Sequence, residues 1–81
     1  MGKLTELDAA FGITLRKLRL AKKLTQEQLG FEAGLRRTFI SSLELGEKRP
    51  SLATIQKLAL VFDLPMAKFI QKVEEELRQQ K

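Results

Sequence analysis

The stretch from Gln26 to Leu45, QEQLGFEAGLRRTFISSLEL, decides how this chain folds, because it reads as two short helices joined by a tight turn. Thr25 precedes it as an N-cap: its hydroxyl accepts a backbone N–H of the first turn, and Gln28, three residues on, reaches back to complete a capping box. Leu29 and Ala33 share one face. Gly34 stops this helix, since the residue just past a helix end commonly turns left-handed and glycine does so without steric penalty. Leu35 supplies the hydrophobic contact after the stop. A second helical period resumes at about Arg37, with Ile40 and Leu43 inward and Arg37, Thr38, Ser41 and Ser42 left polar on other faces. So thin an apolar stripe must pack on its neighbour. Gly30, mid-helix, gives up about 1 kcal/mol of helix propensity against alanine, and a close crossing of the following helix is the reason expected for it.

Outward from this hairpin the helical period recurs on both sides. Met1 to Glu6 is polar and loose. Thr5 caps a first helix over about 6–23, inward through Leu7, Ala10, Phe11, Leu15 and Leu18. After the hairpin, GEKRP (46–50) is a basic turn in which glycine ends one helix and proline prevents its continuation. Ser51 then caps a helix over about 52–62, inward through Leu52, Ile55, Leu58, Ala59 and Phe62. Pro65 suits the first turn of a last helix over about 66–79, whose stripe is Met66, Phe69, Ile70, Val73 and Leu77, followed by a solvated end from Glu74 to Lys81.

The 81 residues make one small domain, 1–81, near the size at which a single core is only marginally stabilising, so a partner subunit would help. Residues 16–57 hold ten basic and four acidic side chains, net +6, whereas residues 58–81 hold four of each. Basic charge gathered on the half that carries the hairpin fits a face that meets a polyanion. Cysteine and histidine are absent, which removes disulfides, the usual zinc ligands and the common general bases; no enzyme, metal or cofactor is expected. No apolar run approaches the roughly 20 residues that span a bilayer, and the start lacks the basic-then-apolar pattern of a signal peptide. A soluble cytoplasmic protein with no membrane contact is expected.

The central stretch resembles the helix-turn-helix of the Cro and phage-repressor (XRE) family of DNA-binding proteins, with Gln26 opening the first motif helix, Gly30 four residues later, Gly34 in the turn, and Ile40 with Leu43 as the aliphatic pair. The likeness continues in LRKLR (15–19), LTQEQL (24–29) and LELGEKRPSLATIQKLA (43–59), roughly residues 11 to 64. Two positions depart from it: Arg36 stands where the family usually has a capping serine or threonine, and Gly30 replaces the commoner alanine. The resemblance implies an all-α, five-helix lambda-repressor-like domain that binds duplex DNA as a transcription regulator. The chain resembles single-domain controller proteins of restriction-modification systems and Cro-like phage regulators, on the expectation that no further domain follows.

By the same resemblance, Arg37, Thr38 and Ser42 on the recognition helix read base edges in the major groove. Gln26, Arg36, Phe39, Ser41, Lys48, Arg49 and Ser51 lie near the DNA backbone, although Phe39 lacks the hydroxyl a family tyrosine would offer. Arg19 pairs with Glu44 to tie the first helix to the recognition helix. The stripe of the last helix runs further than a four-helix core can cover, so Phe69, Ile70, Val73 and Leu77 are expected to make a homodimer that binds a near-palindromic operator. The alternative is an antitoxin or adaptor, whose main partner is a second protein held by that stripe and whose DNA binding is secondary.

Overall fold

The computed structural model describes residues 4–80, which form five helices and no strand: α1 (Glu6–Ala21), α2 (Gln26–Ala33), α3 (Arg37–Glu44), α4 (Leu52–Val61) and α5 (Met66–Gln79). Of the loose start expected over residues 1–6, residues 1–3 lie outside the described residues, while Thr5 is fixed as a cap and Glu6 opens α1; of the solvated end expected over residues 74–81, residue 81 lies outside them. The starts follow local chemistry. Thr5 and Asp8 close a capping box at α1, Thr25 and Gln28 close another at α2, and the Ser51 hydroxyl accepts the Thr54 N–H at α4. α3 begins at Arg36 with no side-chain cap.

The ends are less regular. α2 stops at Gly34, with φ of 71°, but α1 and α4 stop short of the expected 23 and 62 because Lys23 (φ 61°) and Asp63 (φ 55°) turn left-handed. Leu24 N–H then reaches the Arg19 carbonyl and Leu64 N–H the Ala59 carbonyl, the bonding of a glycine-type helix stop made by residues that do not advertise it.

The core gathers Phe11 and Leu15 of α1, Leu29 of α2, Ile40 and Leu43 of α3, Leu58 of α4, and Phe69 and Val73 of α5. Phe11 and Phe69 stack with centroids 5.5 Å apart and near-parallel planes, joining the two ends of the chain. Two glycines let helices meet closely. A Cβ on Gly30 would stand 2.5 Å from the Leu35 carbonyl, so the tight approach expected there is made by the turn leading into α3. A Cβ on Gly12 would stand 2.5 Å from the carbonyls of both Leu43 and Glu44, so the C-terminal turn of α3 lies against α1. This second contact was not foreseen.

Two inward positions are corrected here. Leu7 and Leu52, expected inward, are 53% and 74% exposed; each stands in the first turn of its helix, where Asp8 and Thr54 are the residues turned inward. Phe69 and Val73, expected at a dimer interface, are 0% and 3% exposed within this one chain. α5 folds back along α1 and spends those two side chains on its own core, leaving Ile70 exposed and Leu77 half-buried on that stripe. Among the described residues no helix is long and apolar enough to cross a membrane.

Candidate nucleic-acid interface

α3 is built to present one face. Ile40 and Leu43 are fully buried, while Arg36, Arg37 and Thr38 are exposed and Ser41 and Ser42 half-buried. Phe39 packs part-buried against the core edge, so its ring belongs partly to the interior. Eight residues without a side-chain cap would fray alone; the helix is held from behind.

What holds it is Glu44, whose side chain is 4% exposed. Arg19 grips it with two bonds, Nε to Oε2 at 2.6 Å and Nη2 to Oε1 at 3.1 Å, and donates Nη1 to the Leu24 carbonyl at 2.9 Å. Gln26 donates Nε2 to Glu44 Oε1 at 3.0 Å. One carboxylate thus joins α1, the start of α2 and the end of α3. Its hydrogen bond raises the Arg19 pKa above the ordinary guanidinium value against the opposing effect of burial, so the guanidinium stays charged. A buried charge with its donors in place is tolerable, and among the described residues no buried side-chain polar atom lacks a partner. Gln26, expected near a phosphate, therefore also has an internal role.

The loop after α3 carries Lys48, which is exposed, and Arg49, which is not simply a solvated cation: its Nε lies 3.1 and 3.2 Å from the Asp8 carboxylate oxygens. Asp8 is 6% exposed. Burial alone would raise its pKa, but the Thr5 backbone N–H, the Arg49 guanidinium and the Thr5 hydroxyl outweigh this and hold it below the usual carboxylate value. The Ser51 hydroxyl caps α4 and also lies 3.1 Å from the Thr54 hydroxyl. The residues expected to meet DNA thus lie on α3, at the start of α2 and in the loop into α4.

Sequence reasoning missed Asp8 and Gly12. The T-x-x-D spacing of Thr5 and Asp8 announces a cap, but nothing local to Asp8 announces a partner 41 residues away. Gly12 carried a readable signal, a glycine inside a helical period. A separate groove of about 620 Å³ opens between the start of α1, the start of α4 and α5, with Leu7, Phe11, Ile55, Ile70 and Leu77 in its walls and Asp8 and Arg49 at its polar end.

Comparison with known proteins gives one answer. The helix-turn-helix family model HTH_3 matches residues 15–69. The uncharacterized HTH-type transcriptional regulator RghRB of Bacillus subtilis (strain 168) is 42% identical over 76 residues, 85% of this chain and 55% of that protein. The control protein C.BamHI of Bacillus amyloliquefaciens is 44% identical over 50 residues, 60% of this chain and 62% of that protein. The chain thus spans little more than half the length of these two relatives. The crystal structure of the restriction-modification controller protein C.AhdI from Aeromonas hydrophila superposes with a TM-score of 0.73 at 40% identity, over 76% of this chain and 94% of that one.

Proposed function

The chain belongs to the HTH_3 helix-turn-helix family of DNA-binding transcription regulators, and on that premise we propose that its 81 residues act as one domain that binds a near-palindromic operator as a homodimer, with α3 in the major groove. Arg37, Thr38 and Ser42 read bases. Arg37 is the strongest reader, since its fork bonds guanine O6 and N7 together, and Thr38 adds a hydroxyl bond or a methyl contact to thymine. Gln26, Arg36, Phe39, Ser41, Lys48, Arg49 and Ser51 lie along the backbone and set the register.

One observation carries the reading: α3 exposes Arg37 and Thr38 while Ile40, Leu43 and the clamped Glu44 fix its other side. Base readers held on a rigid element keep their geometry. The second copy docks on the groove bounded by Leu7, Ile70 and Leu77, where α5 still offers apolar surface. A two-fold pairing there would present two α3 helices to one side of the duplex, with half-site centres about 34 Å apart for successive major grooves.

Selection of random duplexes by the purified protein tests this directly. The expected outcome is an enriched near-palindrome with half-sites one helical turn apart. Recovery of a pool with no shared motif, bound no more tightly than random DNA at physiological salt, would overturn it.

A further inference from the structure

We propose that Asp8 is a positioning residue for DNA binding: from the first turn of α1 it holds Arg49 and the loop 46–50 in the shape that grips the DNA backbone. This rests on the reading of that loop as a backbone contact.

The loop is fastened to α1 at two points. Gly46 adopts φ of 74° with its Cα so close to α1 that an added Cβ would stand 3.2 Å from Ala9 Cα. Three residues later Arg49 Nε meets both oxygens of Asp8. Between these anchors Glu47 and Lys48 are exposed. A seven-residue connection between two helices, here residues 45–51, is ordinarily adaptable. This one is held at Gly46 and Arg49 to the same turn of α1, so the direction in which Lys48 and the start of α4 face is set by α1.

Asp8 is itself held. Its Oδ2 accepts the Thr5 backbone N–H at 2.6 Å and the Thr5 hydroxyl at 3.1 Å, and it is almost fully buried. A carboxylate fixed by a helix cap, accepting the Arg49 Nε–H on both of its oxygens, holds the guanidinium in a set direction, so less side-chain freedom is lost when it meets a phosphate. The Arg49 side chain remains 42% exposed beyond that engagement.

Net charge predicts the opposite of this proposal, which makes it testable. Removing a carboxylate from a protein that binds a polyanion tightens binding on electrostatics alone; removing a positioning carboxylate loosens it. Asp8→Asn keeps an oxygen to accept the Thr5 N–H, so the cap survives in part. With the variant shown to be folded at the assay temperature by circular dichroism, operator affinity is expected to fall about tenfold, and the slope of log K against log salt to flatten by about one ion. In an Arg49→Ala background the same substitution is expected to have no loosening effect. Arg49→Lys, which leaves net charge unchanged and does not reproduce the planar engagement, is expected to lose affinity to a similar degree, and it serves should Asp8→Asn fail to fold. Operator binding by Asp8→Asn or by Arg49→Lys at or above the unmodified level overturns the proposal, as does an equal loss from Asp8→Asn with and without Arg49. If Lys48→Ala and Arg49→Ala both bind normally, the reading of the loop falls and this inference with it. If those two weaken binding and Asp8→Asn does not, the positioning role alone falls.

Discussion

Arg37 and Glu44 stand at opposite ends of one eight-residue helix and mark two uses of charge. Arg37 is exposed and, in the role proposed for it, acts only when DNA is present; Arg37→Ala is then expected to cost about 1 to 3 kcal/mol of operator binding and to relax preference at one base pair of each half-site. Quantitative binding to cognate and random duplexes checks this, and identical losses on both would sink the assignment. Glu44 is buried between Arg19 and Gln26, so its removal leaves a guanidinium without its partner. Glu44→Ala is expected to lower stability on the order of 3 to 5 kcal/mol, and a denaturant double-mutant cycle with Arg19→Ala should reveal strong coupling between the two positions. Asp8 adds a pH signature. Its pKa is lowered on folding, so its contribution is complete above the unfolded carboxylate value and is lost as pH falls through the folded one. The stability of the unmodified protein should therefore drop more steeply below about pH 4 than that of Asp8→Asn, by denaturant titration across the acid range.

At the scale of elements, the packing of α1 on α3 is governed by the absence of a side chain. Alanine for glycine inside an exposed helix normally stabilises by about 0.5 to 1 kcal/mol. At Gly12 the added carbon would press on two backbone carbonyls of α3 at 2.5 Å, and backbone atoms yield only if the helix moves. Gly12→Ala is expected to reverse the usual sign and destabilise by about 1 to 3 kcal/mol, the range for overpacking, while also weakening operator binding because α3 is displaced. A thermal melt paired with a binding titration tests both halves, and a more stable, fully binding variant would refute the packing argument.

For the whole molecule, the distribution of apolar surface argues for a second copy. α5 buries Phe69 and Val73 in its own core but leaves Ile70 44% exposed beside an exposed Leu7 and a half-buried Leu77, around a groove of about 620 Å³. A small domain gains from covering such a face. Ile70→Glu combined with Leu77→Lys is expected to sediment as a folded monomer that has lost cooperative binding to paired half-sites; a double variant that remains dimeric would place the interface elsewhere.

Local chemistry was enough for the sequence to determine the five helices, the caps at Thr5, Thr25 and Ser51, the stop at Gly34 and the polar face of α3, because each depends on residues within a turn or two. The tight approach at Gly30 was legible for the same reason. What needed the tertiary structure were the outcomes decided by chain segments far apart. The end of α1 at Lys23 was hidden because a lysine took a conformation that usually belongs to glycine. The division of the α5 stripe, with Phe69 and Val73 inside and Ile70 outside, depends on how α1 lies across α5, and periodicity reports only that a stripe exists. The Asp8–Arg49 pair joins residues 41 positions apart, a proximity that only the packing of α1 against the loop creates. Helical period encodes which residues share a face; which neighbour that face meets is settled by all the faces competing for one small core.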